Sequence, residues 1–179
     1  PHDLTPETSW FDMAQASINA IREVDTNTLI MVGGNDWSSA ERWIEQSDTL
    51  KYLKDPANNL AFEAHVYFDK DASGTYKYSY EEEECYPEKG IDRVKPFVEW
   101  IKQNKFHGFI GEYGIPDNDP RWNETLDLFL GYLQENGING TYWAAGPWWD
   151  SYFMAITPKD GKDRPQMPII EKYTSTFKK

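Results

Sequence analysis

Residues 106–112 read Phe106-His107-Gly108-Phe109-Ile110-Gly111-Glu112, a short apolar run that stops abruptly at a carboxylate. Residues 106–110 have the length and the aromatic, branched composition of a strand, and Gly111 ends it. Beyond it, Asp119-Pro120 opens a helix that carries Trp122, Leu126, Phe129, Leu130 and Leu133 on one face and stops at Gly137. A strand followed by an amphipathic helix is the unit from which the rest of the chain is read.

The unit recurs on both sides. Upstream, residues 60–68 read as a strand, residues 69–90 as a long polar loop, and Ile91, Val94, Phe97, Val98 and Ile101 as a helix face. Before that, Leu29-Ile30-Met31-Val32 runs into Gly33-Gly34, which suits a strand buried on both faces. A helix from about Ser38 carries Trp43 and Ile44. At the start, Thr5-Pro6-Glu7 signals a helix whose Trp10, Met13, Ala14, Ile18 and Ile21 recur at helical spacing. Downstream, residues 140–145 form a fourth strand and residues 167–177 a last helix. This alternation predicts parallel βα units and the fold class α/β. Four strands with an unpaired leading helix make an awkward free-standing domain and a natural half of an eight-stranded (β/α)8 barrel. No low-complexity linker interrupts residues 1–179, so they read as one domain.

Composition narrows the chemistry. The net charge of −12 and a pI near 4.6 repel phosphate backbones, so no nucleic-acid partner is expected. No run approaches the roughly 18 apolar residues of a membrane span. Eight Trp and eleven Tyr are many for 179 residues. Their rings can fill a core, but they also form the flat, half-wet surfaces on which sugars stack. A single Cys85 cannot form a disulfide within the chain and reads as a free thiol. The three histidines lie far apart without ligand spacing, so neither a metal site nor a cofactor is expected. The four glutamates 81–84 read as a solvated acidic loop, and His107, early in its strand, as structural or exposed.

In a parallel barrel the reactive groups gather at the C-terminal ends of the strands. Glu112 lies at such an end. A carboxylate there is costly to bury without partners, and a lone one more often faces solvent or caps a helix. In Glu63-Ala64-His65-Val66-Tyr67, alternation puts His65 and Tyr67 on one face at the strand's end. Their imidazole and phenol can hold a carboxylate or a sugar hydroxyl, or sit satisfied in a core. Glu63 lies deeper and reads as a buried structural hydrogen bond. Trp143 stands at the mouth of the fourth strand, where a core role is also open to it. Trp148 and Trp149 are harder to place in a core, and Asn35-Asp36-Trp37 follows the first strand. Four of four strand ends thus carry groups suited to carbohydrate.

Taken in order, four stretches resemble glycoside hydrolase family 5, and within it the subfamily 5 endo-β-1,4-glucanases. They are Gly34-Asn35-Asp36-Trp37; His65-Val66-Tyr67-Phe68-Asp69 with Asp71-Ala72-Ser73-Gly74-Thr75; Ile110-Gly111-Glu112-Tyr113-Gly114; and Tyr142-Trp143-Ala144-Ala145-Gly146. The resemblance covers nearly the whole chain. It implies the C-terminal half of a (β/α)8 barrel, strands five to eight, in a secreted enzyme that cleaves cellulose or another β-glucan. It makes Glu112 the nucleophile, with His65 and Tyr67 positioning and tuning it. Trp143 would floor the subsite of the cleaved sugar, Trp37 would be an aromatic platform after strand five, and Asn35, Trp148 and Trp149 would add substrate contacts. Family members carry Asn-Glu-Pro after strand four, with that Glu as acid/base. The chain begins at the Pro of this motif, so the acid/base is expected from an N-terminal half acting as partner, and His2 is expected to touch substrate beside it.

A retaining glycosidase needs two carboxyl groups about 5–5.5 Å apart. Glu112 is expected to stay ionised, with Tyr67 as its donor. A non-catalytic carbohydrate-binding half-barrel, or a mannanase or mixed-linkage glucanase on the same fold, remains the alternative.

Overall fold

The Ser9 hydroxyl accepts the backbone N–H of Asp12 and starts the first helix, α1 (Trp10–Arg22), in a computed structural model that describes residues 1–4 and 9–174. The helix-start signal at Thr5-Pro6-Glu7 lies outside the described residues. The chain then runs through β1 (Ile30–Gly33), α2 (Asn35–Ser38), α3 (Trp43–Ser47) and β2 (Leu60–His65). After these come α4 (Lys89–Asn104), β3 (His107–Tyr113), α5 (Arg121–Glu135), β4 (Asn139–Tyr142) and α6 (Met167–Glu171). Strands lie in the order β1-β2-β3-β4, and β1 pairs parallel with β2, Ile30 opposite Leu60 and Gly33 opposite Glu63. Helices between successive strands give the α/β alternation expected from the apolar runs.

The chain divides into two compact units, one of Pro1–His65 with Val94–Ile110, the other of Val66–Arg93 with Gly111–Lys179. The first is built on an aromatic core. Trp43, Phe62, Phe97 and Trp100 are at most 1% exposed, and Phe62 meets Trp100 edge to face at 5.0 Å. Burying each such ring stabilises the fold by roughly 1.5–3 kcal/mol. Trp100 can be buried because its indole N–H donates to Asp48 at 2.9 Å. Arg22, at the end of α1, forks onto Asp55 at 2.8 and 3.0 Å and donates to the Thr28 carbonyl at 2.8 Å. These bonds fix α1 to the loops before β1 and β2.

The second unit packs α5 through Trp122, Leu126, Phe129, Leu130 and Leu133, the face read from the sequence. Phe129 meets Phe68 at 5.2 Å and Tyr113 at 5.3 Å, and Trp122 meets Tyr76 and Tyr80. Tyr173, after α6, donates to Asp127 of α5 at 2.7 Å.

Several expectations are corrected. β1 is not buried on both faces: Val32 is 4% exposed but Met31 is 44%, because alternate residues of a strand face opposite ways. The helix expected from about Ser38 is a left-handed turn, α2, followed by a helix that begins only at Trp43. β2 stops at His65, so Tyr67 lies beyond it rather than on its last residues. β4 ends at Tyr142, one residue before Trp143. Of the acidic run, Glu83 is buried, and its carboxylate accepts the N–H of Lys70 and of Tyr78. Only a folded loop could supply those donors, and a charge run shows nothing of them. No helix among the described residues is long and apolar enough to cross a membrane.

Candidate active site

Within the second unit, β3 delivers Glu112 one residue before its end. Tyr113 is 5% exposed and packs on Phe129 of α5 and edge-on to Tyr142. Strand alternation therefore turns Glu112 to the opposite face, away from the helix. There Tyr67 donates its phenol to Oε2 of Glu112 at 2.9 Å, and Val66 N–H donates to the Glu112 carbonyl at 2.9 Å. Burial, with the Glu112 charge and hydrogen bond adding to it, pushes the Tyr67 phenol far above its ordinary value. It stays protonated at any working pH and acts only as a donor to the carboxylate. The Tyr67 carbonyl is held in turn by Arg93 at 2.5 Å.

Trp143 stands half-buried beyond β4. Its backbone N–H donates to the Tyr113 carbonyl at 2.8 Å, next to Glu112, and the Trp143–Ala144 peptide is cis. Its ring meets Trp149 at 5.0 Å and 65°, and Trp149 meets Tyr152 at 5.0 Å. Burial raises the Tyr152 phenol, and the nearby Glu112 charge raises it further. A carboxylate, two phenols and two indoles are thus gathered in one unit, an arrangement suited to hydroxyl-rich rings. Trp148 is 90% exposed and carries no part of the core. Arg164 steadies this region, donating to Asp117 at 2.6 Å and to the Asp150 carbonyl at 2.9 Å.

The remaining expected residues belong to the first unit. His65 lies 2.7 Å from Glu63 through its Nε2, and both side chains are partly exposed, so Glu63 has a partner but is not the buried group expected. His2 stacks on Trp37 at 4.1 Å with planes 9° apart, and Trp37 is 59% exposed. Trp37 is presented by the left-handed turn, with φ of 53° at Asp36 and at Trp37. Positive φ is rare for so bulky a residue and marks a constrained position. Asn35 donates its side-chain amide to the Gln46 carbonyl at 2.8 Å, so that nitrogen holds the loop.

Two residues have a place here that the sequence hardly signals. Tyr152 sits three residues after Trp149, a spacing that one helical turn would bring together, and that was its only signal. Asp69 lies in the stretch that follows Tyr67, yet its burial, at 1% exposed, has no sequence signature. Among the described residues no group of three or more His, Cys, Asp or Glu is placed to hold a metal ion.

Residues 1–148 match the family described as cellulase (glycosyl hydrolase family 5). A probable endo-β-1,4-glucanase B from Aspergillus kawachii is 36% identical over 178 residues, covering 96% of this chain and 51% of its own. The solved endoglucanase of Pseudomonas stutzeri is similar at a TM-score of 0.89 and 41% identity, over 98% of this chain and 53% of the other. Its complex with cellobiose gives 0.88 and 44% identity over 97% and 51%. The chain spans about half the length of the curated relatives it matches.

Proposed function

The chain belongs to the cellulase family, glycosyl hydrolase family 5, and from that membership we propose that it is the catalytic C-terminal half of a retaining endo-β-1,4-glucanase. Its α/β fold is that of half a (β/α)8 barrel, with β1 to β4 as the fifth to eighth strands. The observation that carries the reading is the Tyr67 phenol on Oε2 of Glu112, in the unit that also holds Trp143 and Trp149.

Glu112 attacks the anomeric carbon while a second carboxyl group, contributed by the other half of the barrel, protonates the leaving oxygen. That second group then draws a proton from water, which opens the glycosyl ester and frees Glu112. Tyr67, donating to the oxygen that does not attack, aims the carboxylate and holds it between the two steps. Trp143 offers an indole face to the sugar being cleaved, and Trp148 and Trp149 extend the aromatic surface. In the first unit, the exposed Trp37 ring stacked on His2 is assigned to sugar binding, and His65 keeps Glu63 as its partner. Cellobiose bound to the Pseudomonas stutzeri relative supports a β-1,4-glucan as substrate. An insoluble polymer cannot enter a cell, so the enzyme acts outside it.

The test is reducing-sugar release by the complete protein from carboxymethylcellulose, barley β-glucan and galactomannan, run beside Glu112→Gln. The reading expects the first two to be cut and the variant to lose nearly all turnover while still binding. Cleavage of galactomannan alone would make the enzyme a mannanase, and an unaffected Glu112→Gln would remove the nucleophile assignment.

A further inference from the structure

Resting on the reading of Glu112 as nucleophile, we propose that Asp69 is a positioning residue for the attack, folding the loop that backs the Tyr67 ring and thereby seating the phenol on Glu112. Asp69 is 1% exposed, and a buried carboxylate is tolerated only when its oxygens are satisfied. Its partners are the Ser73 hydroxyl at 3.1 Å and the backbone N–H groups of Gly74 at 3.1 Å, Thr75 at 3.0 Å and Tyr76 at 3.3 Å. Three consecutive amides aimed at one side chain mean that the carboxylate sets the path of residues 73–76.

That path matters at two points. Gly74 has φ of 73°, and a Cβ built on it would stand 2.9 to 3.0 Å from Cδ1, Cε1 and Cγ of Tyr67. The bare Gly74 backbone therefore lies against the Tyr67 ring and blocks its rotation away from Glu112. Two residues on, the Tyr76 hydroxyl accepts the Phe68 N–H at 2.9 Å and donates to the Gly114 carbonyl at 2.7 Å. One hydroxyl thus ties the residue after Tyr67 to a residue two beyond Glu112. Asp69 touches neither the phenol nor the nucleophile, yet it orders both the backstop and the tie.

Kinetics of the complete enzyme on an aryl β-cellobioside test this with Asp69→Asn, Gly74→Ala, Tyr67→Phe and the double variant Asp69→Asn/Tyr67→Phe. Asparagine keeps the shape but turns an NH2 toward the amide donors. Asp69→Asn should lower kcat roughly tenfold, the scale of one hydrogen bond to a charged group, with little change in KM. Because both changes remove the same bond, the double variant should be as slow as Tyr67→Phe within about twofold. An unchanged kcat, or losses that multiply, overturns the proposal. If Asp69→Asn fails to fold by thermal melting, Gly74→Ala combined with Tyr67→Phe decides by the same rule. Glu112→Gln in the same assay separates the two readings. Turnover retained there removes the nucleophile, whereas an inactive Glu112→Gln beside a normal Asp69→Asn removes the Asp69 role alone.

Discussion

The Tyr67 hydroxyl lies 2.9 Å from Oε2 of Glu112, and the main chains on either side are bonded as well, Val66 N–H to the Glu112 carbonyl. The backbone bond sets the approach and the phenol sets the carboxylate's rotation. Tyr67→Phe removes only the second. The ring that meets Tyr76 at 6.5 Å remains, so the melting temperature should fall by no more than the loss of that one bond. Loss of one hydrogen bond to a charged group, about 1.5–3 kcal/mol, should lower kcat by roughly 10- to 150-fold. Steady-state kinetics on a soluble cello-oligosaccharide checks it, and a variant as fast as the parent would show that the bond is incidental.

Gly114 gives the site a second, steric dependence. A Cβ built there would fall 2.5 Å from the Trp143 carbonyl oxygen and 3.2 Å from the Met154 sulfur. Neither backbone can yield cheaply, since Trp143 N–H is already bonded to the Tyr113 carbonyl. Gly114→Ala should destabilise the protein by about 1–3 kcal/mol and displace the Trp143 indole. Tryptophan fluorescence titrated with cellobiose should show weakened binding together with the lower melting temperature. A variant that melts lower and binds normally would free Trp143 from its assigned subsite.

What could be read beforehand follows a physical division. Strand positions were visible as short apolar runs, as in β3, and helix positions as apolar residues recurring every 3.6 residues to reach a core, as in α5. Ends were less visible, since a strand stops where its pairing stops. β2 therefore closes at His65 and β4 at Tyr142, short of the apolar letters that follow. Trp37 could be suspected as an exposed platform, but its left-handed backbone could not. Glu83 and Asp69 look like any loop carboxylate until the chain folds N–H groups around them. Local pattern records burial by periodicity, whereas the donors that fold round Asp69 and Glu83, 4 to 13 residues away, follow no period and leave no trace in it.

Trp148 offers the cleanest separation of binding from folding. At 90% exposure it contributes almost nothing to the core. An indole so placed is the residue type that stacks on sugar rings. Trp148→Ala should leave the melting curve within about 0.5 kcal/mol of the parent, as surface substitutions do. It should nonetheless reduce retardation of the protein in gels containing soluble β-glucan. Unchanged mobility would take Trp148 out of the substrate surface.

Acid sensitivity should be concentrated in the first unit, at Asp55 and Asp25. Arg22 forks onto Asp55, and this bond is the largest reason the Asp55 carboxyl is held far below the ordinary range; the amides of Asn59 and Ala57 add to it. Asp25 is lowered to about 2, chiefly by its hydrogen bonds with Thr28 and Asn27. A carboxyl lowered on folding binds its proton more readily in the unfolded chain. Its contribution is therefore complete above the unfolded value near 3.9 and fades as pH falls below it. Urea midpoints should be level from about pH 7 to 5 and then drop steeply between about pH 4 and 2. Asp55→Asn should start lower at pH 7 because Arg22 loses its charged partner among nearly dry side chains, only 3% and 2% exposed. The same variant should lose less on acidification, since the group that titrates is gone. Curves for parent and variant that run parallel into acid would show that the Arg22–Asp55 pair does not set the acid limit.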